Sequence, residues 1–157
     1  MQPHKAPTKL SKAGVERGLE RLRELVRERG LKASTVRENI ARAALTLDGH
    51  FTIEELVESL PEAHIATVYR VLPLLVDAGL LQPAPASPEH GQRYERAFER
   101  EHHDHLMCTH CHKVVEFHSE ALEELQRELA SKLGFVLTGH EHKLFGTCSS
   151  CQRRLQR

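Results

Sequence analysis

TIEELVESLPEAHIATVYRVLPLLVDAGL, residues 52–80, reads as two helices separated by a proline-marked turn and closed by a glycine. Thr52 and Glu55 have the spacing of a capping box, in which each end satisfies a backbone N–H of the other, and Phe51 is placed to pack on Leu56 as a hydrophobic staple. Leu56, Val57 and Leu60 then face a core. Pro61 interrupts. From Ile65 to Ala78 the apolar positions Ile65, Val68, Leu72 and Val76 repeat at helical spacing, and Gly79 supplies a left-handed stop. The outward side of this helix shows Thr67 and Arg70. Pro73 lies inside it and removes one backbone donor, which predicts a kink or a loosened second half.

Working outward, Val15, Leu19, Leu22 and Val26 mark a helix over 11–29 ended by Gly30. Thr35 and Glu38 suggest a second capping box ahead of a stripe of Val36, Ile40, Ala44 and Leu47. Downstream, residues 80–82 form a short strand candidate, 83–91 a Pro- and Ser-rich loop, and 92–98 a returning strand. Short helices followed by a hairpin give a winged helix-turn-helix reading, although many small helical cores bury such stripes without touching DNA.

The character changes after Phe98. His102, His103, Asp104 and His105 lead into Cys108, residues 113–117 form a strand candidate, and Ser119 precedes a helix with Leu122, Leu125, Leu129 and Leu133, ended by Gly134. Residues 135–137 and 143–145 suggest further strands. The expected organisation is an α+β chain: a disordered tail over 1–10, a winged-helix domain over 11–98, and a small α/β domain over 99–157.

The chain has 157 residues and no formal net charge. The charge is asymmetric, however: residues 1–50 carry 11 Lys/Arg against 6 Asp/Glu, and the remaining 107 carry 11 against 16. A basic first half suits phosphates and an acidic, His-rich remainder suits cations, although differently solvated surfaces give the same pattern. There is no secretory signal pattern and no run of about 20 apolar residues, so the expected setting is the cytoplasm, without a membrane.

Such a setting keeps thiols reduced, and the four cysteines fall as Cys108-x-x-Cys111 and Cys148-x-x-Cys151. Two such hooks offer the four thiolates that tetrahedral zinc accepts, with redox pairs as the open alternative. In an extended segment His102 and Asp104 point one way while His103 and His105 point the other, so one tetrapeptide can feed two metal sites. Histidine and carboxylate suit zinc, iron(II), manganese or nickel without choosing among them.

HIATVYRVL, AGLL, YE, HHDHLMCTHC, KVVEF and GTCSSC occur in the order found in the ferric uptake regulator family, and over 31–151 the chain resembles that family. The resemblance implies an N-terminal winged-helix domain and a C-terminal dimerisation domain. It implies structural zinc on Cys108, Cys111, Cys148 and Cys151. It also implies a regulatory site of His50, Glu95, His103 and His105, and an additional site of His102, Asp104, Glu123 and His140. The interval from Glu95 to His103 is one residue longer than usual for the family, which leaves Glu101 as an alternative hinge acid. His64, His90, His110, His112, His118 and His142 receive no role.

For DNA the resemblance implies Thr67, Tyr69 and Arg70 on the reading helix and Lys32 in the minor groove. It further implies a homodimer on an A/T-rich inverted repeat, repressing metal-uptake genes. All four cysteines are committed to structural zinc, which favours iron over zinc sensing. Glu95 rather than aspartate places peroxide sensing second, and manganese or zinc stay as alternatives for the regulatory ion. The rival from another class is a metal-dependent hydrolase built on His103, Asp104 and His105, which leaves the winged-helix pattern unexplained.

Overall fold

In the computed structural model, which describes residues 2–3, 9–87 and 91–156, the elements follow as β1 (Gln2–Pro3), α1 (Lys12–Glu28), α2 (Thr35–Thr46), β2 (His50–Phe51), α3 (Ile53–Glu58) and α4 (Ile65–Asp77). Then come β3 (Leu81–Ser87), β4 (Gly91–Arg96), β5 (Asp104–Cys108), β6 (Val114–His118), α5 (Glu120–Lys132), β7 (Lys143–Gly146) and α6 (Ser149–Leu155). The chain divides into one unit of Ala6–Arg100 and another of Glu101–Arg157 with Met1–Lys5. No helix among the described residues is long and apolar enough to cross a membrane.

The Ala6–Arg100 unit starts where Ser11 accepts a hydrogen bond from the Gly14 N–H and opens α1. Leu19 and Leu22 of α1, Ile40 and Leu45 of α2, Leu56 of α3, and Leu72 and Leu75 of α4 make one buried cluster. Gly18 of α1 leaves room for Leu45 of α2: a Cβ there would lie 2.8 Å from Leu45 Cδ1. The capping box at Thr52 and Glu55 forms in full. The cap of α2 differs from expectation. Ser34, not Thr35, accepts from the Arg37 N–H, while Glu38 instead pairs with Arg23 of α1. The α2 stripe is accordingly Ile40, Ala41, Ala44 and Leu45, with Val36 exposed.

Helix α4 continues past Pro73 to Asp77. Pro73 is exposed, while Leu72 and Leu75 beside it are buried and hold the second half of the helix to the core. Ile65, expected in the core, is exposed, while Val68 and Leu72 are buried as expected and Val71 and Leu75 join them. Strand β3 extends through Pro83 and Pro85 into the segment expected to be loop, of which residues 88–90, His90 included, lie outside the described residues. β3 is an edge strand in the order β2-β4-β3, and an edge tolerates proline where no ladder bond is lost. Three helices α2, α3 and α4 with this sheet are a winged helix-turn-helix, with α1 added in front.

The other unit is a four-stranded sheet of order β1-β6-β5-β7, with β5 antiparallel to β6 and parallel to β7. Gln2–Pro3 joins β6 by main-chain pairing, so these two residues of the expected tail are strand; residues 1 and 4–8 of it lie outside the described residues. Residues 135–137, expected to be a strand, form none. Few apolar side chains are buried here: Met107, Cys108, Phe117 and Cys151. Leu125, Leu129 and Leu133 of α5 are each more than half exposed, as is Phe145 of β7. The molecule is thus α+β, a winged helix followed by a small α/β unit that carries a four-cysteine cluster.

Candidate metal centres and nucleic-acid interface

Cys108 ends β5, Cys111 follows in the turn to β6, Cys148 is the N-cap of α6 and Cys151 lies in its first turn. All four are free thiols whose sulfurs lie within 4.8 Å of one another, with Cys111 Sγ 3.7 Å from Cys148 Sγ. Zinc–sulfur bonds of about 2.3 Å at tetrahedral angles require sulfurs about 3.8 Å apart, so the spacing is that of a structural zinc site. Backbone N–H groups of Cys148, Cys111 and His110 aimed at Cys108 pull its thiol down to about 5. Cys111 is driven the other way, up to about 11: the Lys113 N–H favours its thiolate, but the neighbouring Cys108 and Cys148 outweigh it. Four thiols this close cannot all ionise unaided, and a divalent cation supplies the missing charge. Arg154 donates to Cys151 Sγ at 2.8 Å and would offset part of the excess negative charge of a four-thiolate zinc centre.

The second cluster gathers on β5, α5 and the loop before β7. His102 Nε2 lies 3.4 Å from Asp104 Oδ1 and 3.3 Å from Glu123 Oε1, and His140 Nε2 lies 2.7 Å from His102 Nε2 and 3.3 Å from Glu123 Oε1. Asp104 is 1% exposed, and neither of its carboxylate oxygens has a hydrogen-bond partner; Glu123 Oε1 is likewise buried without one. Stranding acceptors this way is costly unless a cation takes them. Gln126 Nε2 lies 2.6 Å from Glu123 Oε2 and 2.9 Å from His140 Nδ1, holding both side chains from behind. His142, which received no role from the sequence, brings Nδ1 to 3.6 Å from Asp104 Oδ2. Nothing in the sequence marked it, because its place depends on the course of the 134–142 loop.

The regulatory candidates divide between the units. In the winged-helix unit His50 of β2 pairs with Glu95 of β4 across the sheet, and His50 Nε2 is 3.5 Å from Glu95 Oε2. Glu95 is fully buried, whereas Glu101, the alternative acid, is exposed. In the other unit His103 and His105 place their rings 5.0 Å apart, and His105 stands opposite Glu116 of β6. Glu116, a further candidate ligand, was not singled out in the sequence. The signal was there in the hairpin register: a tight turn at Cys108–Cys111 sets residue 105 against 116, but such a register cannot be assumed before β6 is located.

On α4, Tyr69 is 52% exposed and Arg70 is exposed, with Thr67 partly so, all N-terminal to Pro73. Tyr69 is therefore no core residue. Lys32 is exposed in the loop before α2, where its carbonyl accepts from Arg37 Nη1 at 3.0 Å.

A winged helix on the same chain as a four-thiolate cluster and histidine–carboxylate clusters defines a metal-binding transcription regulator. A profile of the ferric uptake regulator family matches residues 28–145. The ferric uptake regulation protein of Campylobacter jejuni is 36% identical over 142 residues, covering 87% of this chain and 89% of the relative. The structure of the Helicobacter pylori ferric uptake regulator, described as revealing three functional metal-binding sites, matches with TM-score 0.76 at 33% identity over 93% of this chain and 97% of that one. The Pseudomonas aeruginosa ferric uptake regulator with manganese gives a TM-score of 0.69 at 27% identity over 81% and 97%. The chain belongs to the ferric uptake regulator family.

Proposed function

We propose that the chain is an iron-responsive repressor, in which one divalent ion joins His50 and Glu95 of the winged-helix unit to His103, His105 and Glu116 of the other unit. The observation that carries this reading is the His50–Glu95 pair: a histidine on β2, the strand that runs directly into α3, faces a buried carboxylate on the neighbouring β4, within the unit that holds the reading helix. An ion bound there biases the placement of α4 only if it binds one arrangement better than another, and ligands drawn from both units supply that difference. Nitrogen and oxygen donors without thiolate suit iron(II) or manganese(II), and every cysteine belongs to the four-sulfur cluster. The names of the relatives favour iron; manganese is the second reading, since manganese is bound in the Pseudomonas aeruginosa structure.

Zinc on the four cysteines holds the 101–157 unit together, and a second ion on His102, Asp104, Glu123 and His140 adds to it. Leu125, Leu129 and Leu133 form the dimer face, since a unit with so few buried apolar side chains leaves this stripe for a second copy. Leu129→Asp should convert the dimer to monomer in sedimentation velocity; an unchanged dimer would place the interface elsewhere.

Two reading helices in a dimer fit an inverted, A/T-rich operator in the cytoplasm, with Arg70, Thr67 and Tyr69 on bases or phosphates and Lys32 in the minor groove. The test is operator affinity by fluorescence anisotropy, with and without iron(II) under anaerobic conditions. Arg70→Ala should weaken the metal-loaded complex by about 1–3 kcal/mol, and Lys32→Ala should reduce the salt slope by about one. Unaltered affinity and salt slope in both variants would remove α4 as the reader.

A further inference from the structure

Glu95 is enclosed by more than His50. Gln82 Nε2 donates to its Oε1 at 2.9 Å, and the Arg100 guanidinium makes a close ion pair with its Oε2, the same oxygen that faces His50. The Arg100 side chain is 5% exposed and Glu95 is 0% exposed, so this pair is screened from solvent. The backbone is built to deliver it. Residues 98–100 turn back through Glu99, which has a φ of 50°; Arg96 Nη1 donates to the Phe98 carbonyl at 2.7 Å and the Glu99 carbonyl at 3.2 Å. Arg17 of α1 grips the Glu99 carboxylate through Nε and Nη2 at 2.7 and 2.9 Å. A left-handed glutamate is uncommon, and two arginines fasten it in the turn that aims Arg100 at Glu95.

We propose that Arg100 is the resident cation of the Glu95 carboxylate in the metal-free chain, and that an arriving divalent ion must compete with it, so that Arg100 sets the affinity of the regulatory site. The inference rests on the reading of Glu95 as a metal ligand. A fully buried carboxylate needs a positive partner, and guanidinium keeps its charge at every physiological pH. With Oε2 already engaged, a metal ion gains the carboxylate only by expelling the guanidinium or by binding beside a like charge. Either route weakens binding relative to a site without Arg100, and tunes the sensor toward higher ion concentrations.

The test titrates full-length, zinc-loaded protein with manganese(II), following free manganese by electron paramagnetic resonance. Glu95→Gln identifies the class of sites that belongs to the regulatory centre. In Arg100→Gln and Arg100→Met that class should tighten by about tenfold or more, since a neighbouring positive charge is gone. Arg100→Lys should stay near wild type because the charge is kept. A purely structural role for Arg100 predicts the reverse, weaker binding in both neutral variants, and this result or unchanged binding overturns the proposal. Two neutral replacements of different polarity, each checked by thermal unfolding, guard against a variant that simply misfolds. If Glu95→Gln loses no manganese site, the failure belongs to the reading of Glu95; if it loses one and the neutral variants bind no tighter, the failure is that of Arg100.

Discussion

Cys148→Ser is expected to unfold the 101–157 unit and abolish the dimer. Cys148 supplies a sulfur ligand, caps α6, and donates its backbone N–H to Cys108 Sγ at 3.3 Å, so the cluster joins the end of β5 to the last helix. Few apolar side chains are buried around it. Structural zinc in small peptides contributes on the order of 10–16 kcal/mol of apparent binding energy, against about 5–15 kcal/mol for the whole stability of an ordinary domain. Losing one thiolate therefore removes more than this sparse core can replace. The winged-helix unit, with its own buried cluster from Leu19 to Leu81, should keep its helical signal. Zinc content, circular dichroism and sedimentation measured on one preparation decide it: a zinc-free Cys148→Ser protein that stays dimeric and fully folded would falsify the structural role. A strong chelator at high concentration should reproduce the variant's behaviour in the wild-type chain.

Much of this arrangement was legible from local rules. Capping at Thr52, the glycine stops after α1 and α4, and the cysteine hooks depend on residues within a few positions of one another, and each formed as read. Alternation along 102–105 put Asp104 with His102 and left His103 beside His105 for the same reason. What escaped depends on partners distant in sequence. Ser34 took the cap of α2 while Glu38 paired with Arg23 of α1, a partner that local spacing does not reveal. Glu116 needed the β5–β6 register, and His142 needed the path of a loop. Arg100 needed a left-handed turn at Glu99, which no sequence rule predicts for glutamate.

Replacing His50, His105 or Glu116 should leave the fold and the structural zinc intact while removing the response to metal. None of the three is a sulfur ligand, and His50 belongs to a different unit from the cysteines, so zinc content and thermal unfolding of the 101–157 unit should match wild type. A coupling of the usual size makes the metal-loaded regulator bind operator about 5–150-fold more tightly than the metal-free one. An ion held by one unit alone has no preference between arrangements of the two, and binding without preference shifts no equilibrium however tight it is. His50→Ala and Glu116→Gln, drawn from opposite units, should therefore converge on one behaviour: dimers whose operator affinity is low and equal with and without iron(II). His102→Ala removes a ligand from the other face of the tetrapeptide and should keep most of the response while losing one bound ion. Operator affinity and bound metal, measured together under anaerobic conditions at fixed salt, separate the two faces. A His50→Ala protein that still tightens on operator when iron(II) is added would mean that the ion acts within the 101–157 unit, and the coupling would then run through the dimer rather than through the winged helix.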